Sequence, residues 1–287
     1  MEVFYTSREL KQRLSEIKTQ SGRVGFVPTM GSLHSGHASL LDQAKRESDF
    51  VVLSIFVNPT QFDSEKDFVS YPVSLERDLA LARSLDVDAV FVPETTELYE
   101  GVPAADSVDY GNLTNSFEGA LRTGHFDGVV AIVRRLFSIV NPSKAFFGEK
   151  DLQQLAVVRE LCNREFTDLE IVPCELIRDT DGLALSSRNI RLSVGQRVLA
   201  LELFHSLNRL RSSVSEVSSE PNALSRERER LNRKEGIELE YIGIIDARTF
   251  DELGCENWRN GHAVIAANLG SVRLIDNLFL GDPGRDV

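Results

Sequence analysis

The sequence is poor in cysteine and contains no long apolar run. Its three cysteines, Cys162, Cys174 and Cys255, are widely spaced among 287 residues, and none belongs to a CxxC pair. An odd number of scattered thiols excludes a disulfide framework and a zinc-type spacing, so we expect reduced cysteines in a cytoplasmic protein. No stretch approaches the ~20 apolar residues of a membrane span, and the first residues lack the basic and apolar segments of a signal peptide.

Positive charge is also scarce. The chain has 32 Lys and Arg residues against 44 Asp and Glu residues, which gives a formal net charge of −12. Broad binding to nucleic acid or to a membrane surface needs a positive field, so we expect neither partner. An anionic substrate would need a local cluster of cations that opposes the overall charge. The position of each lysine and arginine is therefore more informative than their number.

Short apolar runs alternate with helical patterns over the first part of the chain. The strand-like runs lie at 24–27, 50–57, 89–92, 145–147 and 169–176. This alternation predicts an α/β fold with a Rossmann-like, doubly wound parallel sheet, which binds ligands at the carboxyl ends of its strands. We place this domain at residues 1–178, with Ser7 as the N-cap of its first helix and a later helix beginning near Val129.

Beyond residue 178 the pattern changes. Two predicted helices are followed by three predicted strands; they lie at 194–211, 221–235, 238–246, 263–268 and 272–275. Helices followed by clustered strands predict a second, smaller α+β domain at residues 179–287. We expect this C-terminal domain to act as a lid, with Ser186, Ser187 and Arg188 at the hinge.

The segment from Pro28 to His37, PTMGSLHSGH, lies between the first apolar run and a helix. A helix N-terminus offers unpaired N–H groups and the positive end of its dipole, and glycines let a ligand approach the backbone, so the segment could hold a phosphate. His34 and His37 share a face if the helix has begun there. Two imidazoles also fit ordinary hydrogen bonds at a helix start, or a metal site whose third ligand the nearby sequence does not supply.

This segment resembles the HxGH signature of the nucleotidyltransferase superfamily, in the form found in the pantothenate synthetase (pantoate–β-alanine ligase) family. Four later segments resemble the same family in the same order: Phe56–Phe62, Gly124–Val129, Phe147–Leu155 and Asp181–Asn189. The resemblance implies an ATP-dependent ligase that joins pantoate and β-alanine into pantothenate. It further implies a pantoyl-adenylate intermediate, release of pyrophosphate and AMP, and a homodimer.

The resemblance also implies roles for individual residues. The catalytic roles go to His34, His37 and Lys150. The implied ATP-binding set is Met30, Gly31, His34, His37, Gly148, Lys150, Asp151, Ile177, Leu185, Ser186, Ser187 and Arg188. The implied contacts to pantoate and β-alanine are Gln61 and Gln154, with Asn58 close by. Without the resemblance, the cations fit solvated surface groups, the amides fit turn caps and the methionine fits core packing.

The first chemical step needs no general base, because the attacking carboxylate is already ionised at pH 7. We therefore interpret His34 and His37 as hydrogen-bond donors to the ATP phosphates rather than as proton acceptors. Mg²⁺ is expected together with ATP. Glu76 and Asp78 are weak candidates for its ligands and fit better as solvated helix residues, so no protein metal site is predicted. The second step needs a neutral amine, and the sequence names no base for it.

The chain departs from the family pattern at Thr123, where proline is common, and at Leu185, where methionine is common. Neither change removes a group that the chemistry needs. Arg122 and His125, which flank the first departure, are candidate binding residues.

Three alternative functions stay open at this level. An adenylyltransferase of the pantetheine-phosphate type would transfer AMP to a phosphate, although Gln61, Gln154 and the second domain argue against it. A nucleotide-binding module without catalysis would carry the same phosphate-binding segment. An aminoacyl-tRNA synthetase also uses HxGH chemistry, but this short, acidic chain offers no surface for tRNA.

Overall fold

A computed structural model describes residues 1–19, 22–62, 65–99, 101–214 and 220–281. These residues form two compact units. The first unit contains Met1–Glu149 and Gln154–Glu175, and the second contains Lys150–Gln153 and the chain from Leu176 onward. The domain boundary at residue 178 and the lid role of the second domain stay predictions.

A six-stranded sheet forms the centre of the first unit. Its strands are β1 (Glu2–Phe4), β2 (Val24–Thr29), β3 (Phe50–Ile55), β4 (Ala89–Phe91), β5 (Lys144–Gly148) and β6 (Glu170–Cys174). Their spatial order is β1-β4-β3-β2-β5-β6, and every pairing is parallel. The direction of strand addition reverses between β2 and β5, so their carboxyl ends form the topological switch point at which such sheets bind ligands. The predicted Rossmann-like α/β fold is confirmed.

Helices connect these strands. They are α1 (Ser7–Thr19), α2 (Ser35–Glu47), α3 (Glu65–Val69), α4 (Leu75–Ser84), α5 (Thr95–Leu98), α6 (Asn112–Asn115), α7 (Phe117–Leu121), α8 (His125–Val140) and α9 (Leu152–Glu165). Short 3₁₀ helices at Pro59–Gln61 and Glu149–Asp151 follow β3 and β5. Both 3₁₀ helices therefore begin just beyond the carboxyl end of a strand, where the predicted site lies.

Burial explains why the central strands were readable in the sequence. All six residues of β3 are buried, as expected of a strand covered by helices on both faces. Phe26 of β2 is fully buried and packs edge-to-face against Phe137 of α8, with 6.2 Å between the ring centroids. The core of the first unit therefore contains side chains of both the sheet and α8.

Two local predictions for the first unit were wrong. The side-chain oxygen of Thr6, not Ser7, accepts a hydrogen bond from the Glu9 N–H (3.3 Å) at the start of α1, whereas the Ser7 N–H donates to the Glu97 carboxylate (2.8 Å). Helix α8 begins at His125 rather than near Val129, so His125 and Phe126 lie in its first turn and Gly124 is its N-cap.

The second unit is an α+β domain, as predicted. Its main elements are α10 (Val194–Ser212), α11 (Ala223–Asn232), β7 (Glu238–Ile245), β8 (His262–Leu269) and β9 (Val272–Phe279). The strands form an antiparallel sheet in the order β7-β8-β9, and 3₁₀ helices lie at Ser187–Arg191 and Cys255–Asn260. Strand β9 continues past the predicted end at Ile275 through Asp276 and Asn277, both of which are buried.

Among the residues that the structure describes, no helix is both long enough and apolar enough to cross a membrane.

Candidate active site

The HxGH segment follows β2 and starts α2. Helix α2 begins at Ser35, and His34 is its N-cap with extended backbone geometry (φ −141°). The Gly36 N–H donates to Nδ1 of His34 (3.1 Å), and the His34 N–H donates to Nδ1 of His37 (3.3 Å). The two rings lie side by side, with 4.1 Å between their centroids. A reciprocal capping pattern therefore brings the histidines together although only His37 lies within the helix.

These two bonds determine where each imidazole carries its proton. A ring nitrogen that accepts from a backbone N–H is unprotonated, so the Nδ1 atoms of His34 and His37 are both acceptors in this geometry. The proton of each neutral ring is then on Nε2, and that atom is a donor. The arrangement suits contact with a phosphate oxygen better than removal of a proton.

Asp78 anchors the loop that precedes these histidines. It is only 3% exposed, and its carboxylate accepts from the N–H groups of Ser32 (2.8 Å) and Leu33 (2.7 Å). Gly31 adopts φ +78°, and a Cβ there would lie 2.8 Å from Oδ2 of Asp78. The expectation that Asp78 is a solvated helix residue was wrong, because both of its oxygens bind backbone donors; Glu76 is exposed as expected.

Asn58 organises the turn that follows β3. Its side chain is 1% exposed, and its Oδ1 accepts from the Thr60 N–H (3.4 Å) and from the Tyr99 hydroxyl (2.7 Å). Its Nδ2 donates to the carbonyl of Gly128 (3.0 Å) and to Oε1 of Gln61 (3.2 Å). Both atoms of this amide are therefore engaged within the protein, and one of the bonds orients Gln61.

Gln61 is held from several sides. Its side-chain Nε2 donates to the sulfur of Met30 (2.9 Å), which joins the turn after β3 to the loop after β2. Its backbone carbonyl accepts from Nδ1 of His125 (2.7 Å) and from the guanidinium of Arg122 (3.4 Å). Arg122 also pairs with the buried carboxylate of Glu118 (3.5 Å). The structure thus places the two candidate binding residues, Arg122 and His125, on the backbone of Gln61.

Gly148 ends β5 at the switch point. Residues 144 and 145 of β5 pair with residues 25 and 26 of β2, so the two strands run side by side toward the same edge. A Cβ at Gly148 would lie 3.8 Å from the Leu40 side chain of α2, an ordinary van der Waals contact. Burial raises the pKa of the Glu149 carboxyl that follows, and the positive charge of Arg159 opposes this shift. Gln154 is half-buried in the first turn of α9.

Lys150 and Asp151 belong to the second unit. They lie in the 3₁₀ helix that follows β5, and Nζ of Lys150 is 3.5 Å from a carboxylate oxygen of Asp151. The Lys150 side chain is 21% exposed, whereas that of Asp151 is 50% exposed. The backbone carbonyl of Lys150 accepts from Nδ2 of Asn277 (3.1 Å), which fixes this residue to β9.

The remaining predicted ATP contacts lie on one folded segment of the second unit. The Leu185 N–H donates to the Ile177 carbonyl (3.0 Å), so these two residues face each other across a tight connection. Ser186 then caps the next 3₁₀ helix, because its Oγ accepts from the Arg188 N–H (3.3 Å). Ser187, between them, is buried.

Three further residues, Arg178, Asp276 and Asn277, support these segments, and none of them was predicted to belong to the site. Arg178 forms two hydrogen bonds with the carboxylate of Asp276 (2.7 and 2.9 Å), and Asn277 is the next residue of β9. Asp276 is 6% exposed, and its burial raises the pKa of its carboxyl although Arg178 acts in the opposite direction. The sequence feature that could have indicated these residues is the Asp276-Asn277 pair, which directly follows the apolar pattern of a predicted strand.

A parallel sheet whose switch point carries paired histidines at a helix start defines a nucleotide-binding α/β enzyme of the HxGH type. The family profile described as Pantoate-beta-alanine ligase matches residues 2–279. The chain therefore belongs to the pantoate–β-alanine ligase family.

Individual relatives agree with this assignment. The chain is 41% identical over 284 residues to pantothenate synthetase of Helicobacter pylori (strain Shi470), covering 98% of this chain and 99% of that protein. It is 42% identical over 281 residues to pantothenate synthetase of Bacteroides fragilis (strain YCH46), covering 97% and 98%.

Solved structures agree as well. The crystal structure of pantothenate synthetase from Thermus thermophilus superposes with a TM-score of 0.91 at 40% identity, covering 98% of this chain and 100% of that one. Pantoate-beta-alanine ligase from Francisella tularensis, complexed with beta-gamma ATP and beta-alanine, has a TM-score of 0.80 at 32% identity and 98% coverage of both chains. The family resemblance and the predicted ligase activity are confirmed.

Proposed function

We propose that this ligase joins pantoate and β-alanine in two steps at the expense of ATP. In the first step a carboxylate oxygen of pantoate attacks the α-phosphorus, the bond to the bridging oxygen breaks, and pyrophosphate leaves. In the second step the neutral amine of β-alanine attacks the acyl carbon, the amide forms as the amine loses a proton, and AMP leaves. The observation that carries this mechanism is the capped histidine pair, whose Nδ1 atoms already accept hydrogen bonds from backbone N–H groups.

In the first unit, His34 and His37 donate from Nε2 to the ATP phosphates. Gly31 packs closely on Asp78 because it has a positive φ and no Cβ. We assign the backbone of this loop, which follows β2, to contact with the nucleotide. Met30 lies on the adenylate side, and Gly148 lies beside the ribose. No histidine has to remove a proton, since the attacking carboxylate has none to give.

In the second unit, two cationic side chains offset the negative charge that develops on the α-phosphate and on the departing pyrophosphate. Lys150 and Arg188 supply the positive charge, and Ser186 and Ser187 supply further donors. Asp151 accepts from the ribose hydroxyls. The remaining ATP contacts, which we assign to the backbone around the adenine, are Ile177 and Leu185.

Gln61 and Gln154 bind the organic substrates. A buried amide that hydrogen-bonds a hydroxyl or a carboxylate discriminates strongly, because a wrong ligand leaves it unpaired. The support for Gln61 is its fixed orientation. Its backbone carbonyl accepts a hydrogen bond from His125, and its side chain is hydrogen-bonded to Met30 and Asn58. Asn58 contributes to substrate binding through Gln61.

Mg²⁺ enters as part of the substrate, bound to the ATP phosphates. Among the described residues no group of three or more His, Cys, Asp and Glu side chains could hold a metal ion, and both oxygens of Asp78 bind backbone N–H groups. We assign the phosphate oxygens of ATP as ligands of the metal, because Mg²⁺ prefers hard oxygen donors. The homodimer and the cytoplasmic location implied by the family resemblance stay predictions.

Exchange of labelled pyrophosphate into ATP tests the order of events. We expect exchange that depends on pantoate and needs no β-alanine, while release of AMP at a steady rate requires both. Exchange that depends instead on a phosphate ester would indicate an adenylyltransferase, and ATP binding without exchange or AMP release would indicate a non-catalytic module. Either result would contradict the proposed mechanism.

A further inference from the structure

One buried junction in the second unit joins all the segments to which we assign ATP contacts in that unit. Its members are Arg178, Asp276 and Asn277. The carboxylate of Asp276 receives two hydrogen bonds from the guanidinium of Arg178, at 2.7 and 2.9 Å. The side chains of Asp276 and Asn277 are almost fully buried, at 6% and 7% exposure. The other buried residues of their strand, β9, are apolar.

Arg178 fixes the segment between Ile177 and Leu185. Its guanidinium donates to the carbonyl of Gly182 (3.1 Å) and lies 3.9 Å from the centroid of the Phe204 ring. Its backbone pairs with Ala184 in an antiparallel bridge. A planar guanidinium that donates two hydrogen bonds to one carboxylate and stacks on an aromatic ring is held rigidly. The segment from Ile177 to Leu185 therefore has little freedom to move.

Asn277 extends the junction to Lys150. Its backbone carbonyl accepts from Arg178 (2.9 Å), and its backbone N–H donates to the carboxylate of Asp276 (2.7 Å). Its side-chain Nδ2 then donates to the backbone carbonyl of Lys150 (3.1 Å). The backbone of the residue whose side-chain amide binds Lys150 is therefore fixed on two sides by the buried ion pair.

We propose that Asn277, oriented by the Arg178–Asp276 pair, is a positioning residue that sets where Lys150 presents its ammonium group to ATP. Lys150 lies in a single turn of 3₁₀ helix, whose hydrogen-bond geometry is poorer than that of an α-helix. Because a displacement of about 1 Å can cost roughly a hundredfold in rate, an external anchor for this turn matters to catalysis. The proposal rests on the proposed role of Lys150.

The substitution Asn277→Ala isolates this anchor. It removes the bond to Lys150 but keeps the backbone atoms through which Arg178 and Asp276 hold residue 277. We expect kcat for pantoate-dependent pyrophosphate exchange to fall about tenfold or more, because a displaced ammonium group stabilises the transition state less. The KM for ATP should change less than kcat, and the melting temperature should fall by only a few degrees.

Asn277→Leu is the second variant, because leucine fills a similar volume and cannot donate a hydrogen bond. Equal losses in the alanine and leucine variants would exclude a cavity as the cause. Asn268→Ala is the matched control: Asn268 lies on the neighbouring strand β8, opposite Arg273, and its amide donates to Glu240 (2.7 Å) rather than to a predicted ATP contact. We expect the exchange rate of this control to match that of the unsubstituted protein.

A double-mutant cycle with Lys150→Ala decides between positioning and simple stabilisation. If Asn277 acts through Lys150, the double variant should be no slower than Lys150→Ala alone. The positioning role would be overturned if the fold-losses in exchange rate of the two single variants multiply in the double variant. It would also be overturned if both Asn277 variants exchange at the normal rate while Lys150→Ala is slow. Normal exchange in Lys150→Ala would instead overturn the proposed role of the lysine.

Discussion

Replacement of Lys150 by alanine should lower kcat by roughly 10²–10³, which is the typical cost of removing one donor that acts on the charge of a transition state. Charge moves onto the α-phosphate and the departing pyrophosphate in the first step, and an ammonium group that meets this charge stabilises the transition state more than bound ATP. The loss should therefore appear in kcat for pyrophosphate release in the presence of both pantoate and β-alanine, measured with pyrophosphatase and a coupled phosphate assay.

The Lys150→Ala variant should stay folded. The bond that anchors this turn goes to the backbone carbonyl of Lys150, so alanine keeps it. The side chain's own contact with Asp151 spans 3.5 Å at a half-exposed carboxylate, and such pairs contribute little to stability.

Lys234→Ala is a suitable control for the loss of a lysine from the same unit. Lys234 pairs with Glu202 (2.7 Å) at the surface. We expect normal turnover in this variant. Turnover of Lys150→Ala close to that of the unsubstituted protein would refute the role assigned to Lys150.

Replacement of Gly128 by alanine should impair both stability and pantoate binding. A Cβ at this position would lie 2.2 Å from the carbonyl oxygen of Thr60 and 2.6 Å from the backbone nitrogen of Gln61. Both contacts are with main-chain atoms, so the turn that carries Gln61 must move. We expect a loss of about 2–4 kcal/mol in the free energy of unfolding and a rise of at least about tenfold in the KM for pantoate.

Gly195→Ala is the matched control, because Gly195 also lies in a helix and a Cβ there would meet no atom of the described residues within 4 Å. Alanine has the higher helix propensity, so this control should be neutral or stabilise the protein by up to ~1 kcal/mol. Opposite signs for the two substitutions in denaturant unfolding would attribute the effect to the contact with Thr60. Equal stability and an unchanged KM for pantoate in Gly128→Ala would contradict the packing argument.

The parts of the fold that could be predicted are those whose signal is local. Strand β3 is a continuous apolar run because both of its faces are buried, and the alternation of strands with helices implied a parallel sheet. Strand β1, Glu2–Phe4, was not predicted, since three residues at a sheet edge carry no periodicity and are held by pairing with β4.

Other features depend on contacts between distant residues. The start of α8 was placed too late because the two glycines at 124 and 128 resemble a turn, whereas Gly128 lies within the helix for lack of space beside Thr60. Asp78 resembled a solvated helix residue, because only the folded chain brings the N–H groups of Ser32 and Leu33 to its carboxylate. Short-range patterns cannot reveal either contact.

The candidate site likewise combines features with a local sequence pattern and features that depend on contacts between distant residues. The HxGH segment was recognisable because its chemistry and its capping pattern are contained within a few residues. The support around it was not, since the anchors of Gln61 come from His125 and Arg122, and the anchor of Lys150 comes from Asn277. The end of β9 was missed for a related reason: its buried polar pair has a partner, Arg178, that lies far away in the sequence.

The central claim is that the carboxylate of pantoate attacks the α-phosphorus of ATP. Pantoate labelled with ¹⁸O in its carboxylate, incubated with the protein, Mg²⁺, ATP and β-alanine, tests this directly by mass spectrometry of the AMP released. If the adenylate forms, one labelled oxygen leaves with AMP when the amine displaces it. Unlabelled AMP, with the label in a phosphate or pyrophosphate product, would contradict the account.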